Sequence, residues 1–291
     1  MLSQPTLTAL AEARLDPAAV EEVARRTVEE DRAGGVDVTS VATVPADLRG
    51  TAAFVPRQSG VVAGLAVAMA CLDVAADDDL TYELVRHDGP AAAGDQVLRV
   101  SGPVRSLLTG ERSALNLLCH LSGIATLTAR WVAAVEGTQA RIRDTRKTTP
   151  GLRALEKAAV VVGGGVNHRM SLSDAALVKD NHVVAAGGVT AAFEAVRRTF
   201  PGLDVEVECD TLAQVSDVVA AGADLVLLDN MSLEDLAAAV EICQPKGVRT
   251  EASGGLTLDR AGPVAHTGVD FISVGGLTHS APVLDLGMDL L

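Results

Sequence analysis

Hydrophobic and polar positions alternate in two different ways along the chain, and the change comes near residue 138. In the first part, Asp16-Pro17 supplies an N-cap and a first-turn proline, Val20, Val23, Ala24 and Val28 recur three and four apart, and Gly34-Gly35 stop the run. That pattern predicts a helix. Residues 36–40 carry no such period and read as a loop. Short β-rich runs follow at 51–55, 60–63, 81–86 and 96–100, with an alanine-rich helical piece at 65–75 between them. Strands and helix mixed in this way predict a small α+β layer domain. From about residue 104 to 135 the spacing turns helical again, through GERSALNLLCHLSGIATLTARWVAAVE. The domain boundary is placed inside this helix, giving residues 1–115 and 116–279, with the tail 280–291 expected to pack back on the first domain.

Beyond residue 138, short apolar runs ending in a charged residue or glycine recur roughly every twenty to thirty residues. They occupy 140–144, 175–179, 205–208, 225–229, 248–251 and 271–274, with helical patterns at 190–199, 211–221, 232–242 and 256–266. This is a βα repeat. An open doubly wound sheet and a closed or nearly closed barrel both fit it, and both place ligands at the carboxyl ends of parallel strands. The barrel is preferred because every strand end here carries a functional-looking group, whereas a doubly wound sheet concentrates chemistry at its switch point.

Composition narrows the classes. With 291 residues, 48% hydrophobic and 21% charged, the chain can bury the core of one large domain or two moderate ones. Aromatics are 2%, with a single Trp131 and a single Tyr82, so stacking platforms are lacking and no nucleic-acid partner is expected. Cys71, Cys119, Cys209 and Cys243 form no CxxC, and MLSQPTLTAL lacks a basic stretch followed by an apolar run, so a reduced, cytoplasmic protein is expected. No run approaches eighteen uncharged apolar residues, so no membrane span is expected either.

Charge changes the picture more. The formal charge is −14, yet residues 141–182 set Arg141, Arg143, Arg146, Lys147, Arg153, Lys157, Arg169 and Lys179 against only Asp144, Glu156, Asp174 and Asp180. A cationic island in an acidic chain predicts a pocket for a small polyanion, since a nucleic-acid surface would make the wider domain basic. Strand ends would bring Lys147 and Lys179, Glu208 and Asp229, and the pairs Gly254-Gly255 and Gly275-Gly276 around one cavity. The cations suit phosphates or carboxylates, a unit pair about 4 Å apart being worth on the order of 4 kcal/mol at an intermediate dielectric. The carboxylates suit Mg²⁺ held together with phosphate oxygens. Glycine loops after late strands let backbone N–H groups approach a phosphate. A phosphorylated sugar carrying pyrophosphate meets all three demands. Blander readings stand beside these: cationic runs as solvated faces, strand-end carboxylates as helix caps, cysteines as small buried hydrophobes. Gly163 to Gly165 suit a linker or a ligand cradle, His182 suits packing or a supporting contact, and His87, His120 and His266 read as structural or surface residues.

The blocks DTRKTTPGLRALEK, GGGVNHRMSLSDAALVKDNH, VEVECDT, LLDNMS, EASGGL and ISVGGLTHS, with DVTS and ERSALNLLCHLSGIAT upstream, run in order through nearly the whole chain. Together they resemble the quinolinate phosphoribosyltransferases. The resemblance implies an N-terminal α/β sandwich joined to an incomplete, open α/β barrel with its active site at the C-terminal ends of the barrel strands. It implies conversion of quinolinate and 5-phosphoribosyl 1-pyrophosphate to nicotinate mononucleotide, pyrophosphate and carbon dioxide with Mg²⁺, in a homodimer whose sandwich domains cover each other's barrel mouths. It assigns the quinolinate carboxylates to Arg146, His168, Arg169 and Lys179 with Thr145 alongside, and to Arg112 from the partner subunit. Lys147 is implied near the reacting groups, Glu208 and Asp229 at metal and ribose, and Ser253, Gly254, Gly255, Gly275 and His279 at phosphate. Two departures are local: residues 156–162 lack an aromatic, and Gly276 stands where alanine is common.

Three rivals are weighed. A nicotinate-type transferase would not need His168, Arg169 and Arg112 for a second carboxylate. A Schiff-base aldolase would use Lys179 with a depressed pKa, which substrate carboxylates oppose. A non-catalytic phosphate-binding module has no use for paired Glu208 and Asp229.

Overall fold

The computed structural model describes residues 1–76 and 80–291. In chain order its elements are α1 (Gln4–Glu12), α2 (Pro17–Arg32), α3 (Val38–Thr43), β1 (Arg49–Pro56), β2 (Gly60–Val62), α4 (Leu65–Ala75), β3 (Thr81–Leu84), β4 (Gly89–Ala91), β5 (Leu98–Pro103), α5 (Val104–Ala134), β6 (Arg141–Arg143) and α6 (Arg153–Val162). There follow β7 (Ala176–Val178), α7 (Asp180–Ala186), α8 (Val189–Thr199), β8 (Val205–Cys209), α9 (Leu212–Ala220), β9 (Leu225–Asp229), α10 (Leu233–Cys243), β10 (Arg249–Ser253), α11 (Leu258–Ala265), β11 (Phe271–Ser273), α12 (Gly276–His279) and β12 (Leu286–Leu290). They form two compact units: Met1–Ala129 with Thr149–Gly163 and Thr278–Leu291, and Arg130–Thr148 with Gly164–Leu277. The division runs through α5, further along that helix than residue 115.

In the first unit an antiparallel sheet has the order β12-β1-β5-β3. Helix α2 is built as its sequence signals: Asp16 accepts from the Ala18 N–H, Pro17 opens the first turn, Val20, Ala24 and Val28 are buried, and the chain leaves through a left-handed Ala33. Helix α4 is apolar all round and almost wholly buried, as a core helix must be. Residues 36–40, expected as a loop, instead enter α3, where the Asp37 side chain caps the Ser40 N–H. That helix has six residues, too few for an apolar period to register. The tail returns as β12, paired to β1 with Ala52 opposite Leu290 and Val55 opposite Gly287. On its way it crosses α5 at Gly123, where a Cβ would lie 2.2 Å from the Pro282 carbonyl oxygen. Helix α5, at 31 residues, is long and apolar enough to cross a membrane by length and composition, although half of its apolar window is buried inside the structure.

The second unit is a six-stranded sheet in the order β6-β11-β10-β9-β8-β7 with every pair parallel. All six strands fall on the expected runs, and α8 to α11 on the expected helical patterns. Val166 adds a single parallel bridge on the outer side of β6, and nothing joins it to β7 among the described residues, so the barrel is open. Period-two alternation decides which residues face the barrel interior. Along β8, Val205, Val207 and Cys209 are buried on the helix-covered face, while Glu206 and Glu208 point the other way.

Candidate active site

The rim of the barrel is built at strand ends. Lys179 follows β7, and its Nζ lies 3.0 Å from Glu208 Oε2 on β8. His182 in the first turn of α7 accepts the Lys179 backbone N–H on Nδ1 at 2.9 Å, so this histidine supports the lysine's backbone. Asp229 closes β9 opposite Ser253 of β10. Asn230, held in the left-handed region at φ 54, donates from Nδ2 to Asp229 Oδ2 at 2.6 Å and from its backbone N–H to the Ser253 carbonyl at 3.0 Å. Gly254 has φ +99, and a Cβ on it would sit 2.2 Å from Asn230 Oδ1. Only glycine permits that turn beside that side chain.

The loop after β6 carries the next group. Thr145 Oγ1 accepts the Lys147 N–H at 3.0 Å and the Arg146 carbonyl accepts the Thr148 N–H at 3.0 Å, folding a tight turn that leaves Lys147 exposed. Arg146 Nε is buried without a hydrogen-bond partner among the described residues. Arg169 donates to the Ala175 carbonyl at 2.9 Å, and its pKa is held below the ordinary value first by burial and then by the charge of Arg146. A partnerless buried donor beside a second, partly desolvated cation is the arrangement an anion would complete.

Below this rim lies a charged floor that the sequence did not reveal. Glu206 of β8 and Glu251 of β10 are buried, and among the described residues Glu206 Oε1 and Glu251 Oε1 have no hydrogen-bond partner. Arg143 of β6 pairs with Glu251 Oε2 and stacks over the Phe271 ring at 4.7 Å. Glu206 Oε2 lies 2.7 Å from His168 Nε2. Burial pushes both carboxyls up, to about 7, and in Glu251 the neighbouring Glu206 charge adds to it. The chain at His168 is anchored by its backbone N–H to the fully buried Asp144 at 2.8 Å. His168 Nδ1 accepts the Arg169 N–H at 2.7 Å. The one available signal was the alternation in VEVEC, which puts a second glutamate on the same face as Glu208.

Arg112 is exposed on α5, and His279 is exposed at the end of α12 with Nδ1 2.6 Å from Ser280 Oγ; both belong to the first unit. Gly275 lies in the turn between β11 and α12, and Gly255 opens to empty space. Gly163 is neither linker nor cradle: a Cβ there would lie 2.4 Å from the Ala125 carbonyl oxygen, so it is a close-packing glycine against α5, and Gly164 supplies φ +88 for the turn. At Gly276 a Cβ would meet nothing within 4 Å, so alanine would fit there equally well. His120, expected as structural or surface, bonds the buried Glu156 at 2.8 Å, and Glu156 in turn caps the Thr149 N–H at 3.0 Å.

An open parallel α/β barrel whose strand ends alternate cations, carboxylates and glycine turns is the framework of a barrel enzyme acting on a small polyanion. The chain matches the family models of the quinolinate phosphoribosyl transferase N-terminal domain over residues 37–122 and C-terminal domain over residues 124–289. It is 50% identical over 277 residues to the nicotinate-nucleotide pyrophosphorylase [carboxylating] of Mycobacterium leprae, covering 94% of this chain and 97% of that one. It is 40% identical over 241 residues to a probable nicotinate-nucleotide pyrophosphorylase of Bacillus subtilis, covering 82% and 83%. The structure of the nicotinate-nucleotide pyrophosphorylase from Francisella tularensis superposes with a TM-score of 0.90 at 36% identity, covering 95% of this chain and 98% of that one. The chain belongs to the quinolinate phosphoribosyl transferase family.

Proposed function

We propose that the chain catalyses the reaction of quinolinate with 5-phosphoribosyl 1-pyrophosphate, giving nicotinate mononucleotide, pyrophosphate and carbon dioxide, a step of de novo NAD synthesis. Besides family membership, the observation that carries the reading is the pairing of Arg146 and Arg169, one with a buried unpartnered Nε, the other desolvated beside it. Two neighbouring guanidinia match two neighbouring carboxylates on one ring. Thr145 and Lys179 complete this side.

The chemistry follows from the charges. Departure of pyrophosphate leaves positive charge on the ribose, and Glu208 and Asp229 at adjacent strand ends stabilise that oxocarbenium-like state more than the ground state. Lys147, exposed in its turn, suits the diphosphate. Backbone N–H groups at Ser253, Gly254, Gly255 and Gly275 suit the phosphates. The quinolinate nitrogen then attacks the ribose carbon and becomes a pyridinium. The bond to the adjacent carboxylate breaks with its electron pair staying on the ring carbon, where the cationic nitrogen stabilises it until a proton arrives. No separate electron sink is needed.

Mg²⁺ is part of the proposal. Glu208 keeps Oε1 and Asp229 keeps Oδ1 clear of hydrogen bonds among the described residues, so one hard oxygen from each is available to an oxygen-seeking ion. Such an ion would neutralise the leaving diphosphate. The homodimer and the cytoplasmic location belong to the same reading; the exposed position of Arg112 suits a residue offered to a partner subunit, and all four cysteines are free thiols.

Purified protein given quinolinate, phosphoribosyl pyrophosphate and Mg²⁺ is expected to release carbon dioxide in step with mononucleotide. Product from nicotinate but none from quinolinate would overturn the assignment. Arg112→Ala and Lys147→Ala are each expected to be inactive, with activity returning in mixed dimers; no recovery would sink the shared site.

A further inference from the structure

We infer that Glu206 is a positioning residue for the dicarboxylate site: it fixes the His168 ring, and through that ring the backbone from which Arg169 reaches the substrate. The inference rests on the reading that Arg169 receives a quinolinate carboxylate.

The hydrogen bonds set its direction. His168 Nδ1 accepts the Arg169 N–H at 2.7 Å, so in the neutral ring the proton is on Nε2, which donates it to Glu206 Oε2 at 2.7 Å. Both ring nitrogens are thereby engaged inside the protein, and the side chain is only 8% exposed. His168 is thereby held between the Arg169 N–H and Glu206. Arg169 is then held at three points: the preceding peptide by Asp144, its own N–H by His168, and its guanidinium by the Ala175 carbonyl. Asp144 ties the 164–175 loop to the end of β6, and Glu206 ties it to β8.

A glutamate here is a poor choice for stability alone. Its Oε1 is buried without a hydrogen-bond partner among the described residues, and a well-packed apolar residue would avoid that penalty. His168, Glu206 and Glu251 also bring ligand atoms within 4.8 Å of one another, the spacing of a cation site. Arg143 on Glu251 already supplies positive charge to that cluster, and a proton on the histidine serves Glu206.

The test compares Glu206→Leu with Glu206→Gln, after wild type has been shown to turn over quinolinate; failure of that first step sinks the functional reading. In Glu206→Leu, which removes the acceptor, KM for quinolinate is expected to rise about tenfold, the loss typical of outer-layer partners, with KM for phosphoribosyl pyrophosphate unchanged. Glu206→Gln, whose amide oxygen still accepts from Nε2, is expected to restore most of the affinity. An unchanged quinolinate KM in Glu206→Leu, or equal rises in both KM values, would refute the positioning role. Should Glu206→Leu not fold, nitrogen NMR of histidine-labelled wild type decides: His168 Nδ1 is expected to stay unprotonated with and without quinolinate. Protonation of Nδ1 when quinolinate binds would refute the inference.

Discussion

Glu208 and Glu206 stand two residues apart on β8, face the same way, and live in different chemistry. Glu208 sits at the rim, half-buried, with Lys179 beside it and one oxygen uncommitted. Glu206 lies one layer down, buried, with its pKa raised by desolvation and one oxygen bound to His168. Depth along a single strand thus separates a carboxylate that can serve the reaction from one that serves the architecture. The rim should govern turnover, and the floor should govern stability and alignment.

The largest effect expected is at the rim. On the proposed function Arg169→Ala removes one member of a charge pair to substrate, worth about 2–5 kcal/mol, so kcat/KM for quinolinate should fall by roughly 30- to 5,000-fold. The melting temperature should barely move; a matching loss of stability would erase the distinction between rim and floor. Of comparable size is the effect of Glu251→Ala on the floor. It strands Arg143 in a buried site, and urea unfolding should show a loss of about 3–5 kcal/mol.

Asn230 tests the border between the two layers. Asn230→Ala forces an ordinary side chain into the left-handed region, at roughly 1–2 kcal/mol, while Asn230→Gly accepts that backbone freely. Both lose the hydrogen bond to Asp229. Denaturation should therefore rank glycine above alanine, while KM for phosphoribosyl pyrophosphate rises in both; a rise in alanine alone would show that the hydrogen bond does not matter.

The smallest effect is in pH. Glu251 has a folded pKa raised to about 7 against roughly 4.3 in an unfolded chain, so the folded state binds its proton more tightly. The stability this gives is present below about pH 4.3 and is lost as pH rises through about 7. Melting temperatures of wild type relative to Glu251→Gln should fall between these values; a flat or rising difference would mean that the floor carboxyl is ionised throughout.

The barrel strands were legible because each is an apolar run closed by a charged residue or glycine, and a parallel strand buried on one face needs little more. Rim residues were legible for the same reason, since a strand's last residue announces itself. Glu206 and Glu251 were not, because alternation reports the face a residue takes and says nothing of its depth. Helix α6 was missed: its AAVVV half is β-branched, and what makes it helical is packing of Leu155, Ala159 and Val160. His168 was expected to grip substrate, and its contacts with the Arg169 N–H and Glu206 were not legible, since they depend on how the 164–175 loop folds onto β8. Strand β12 was expected merely to pack, because its hydrogen-bond partner lies far away in sequence.

That partner has a kinetic consequence. The contact of Arg57 with Asp289 spans 232 residues, and β12 supplies an edge of the sheet that contains β1. Closing so long a loop is entropically slow, whereas the βα units of the barrel connect neighbours in sequence. Refolding from denaturant should therefore show the barrel's helical signal recovering ahead of the antiparallel sheet, with a late phase that Arg57→Ala slows further.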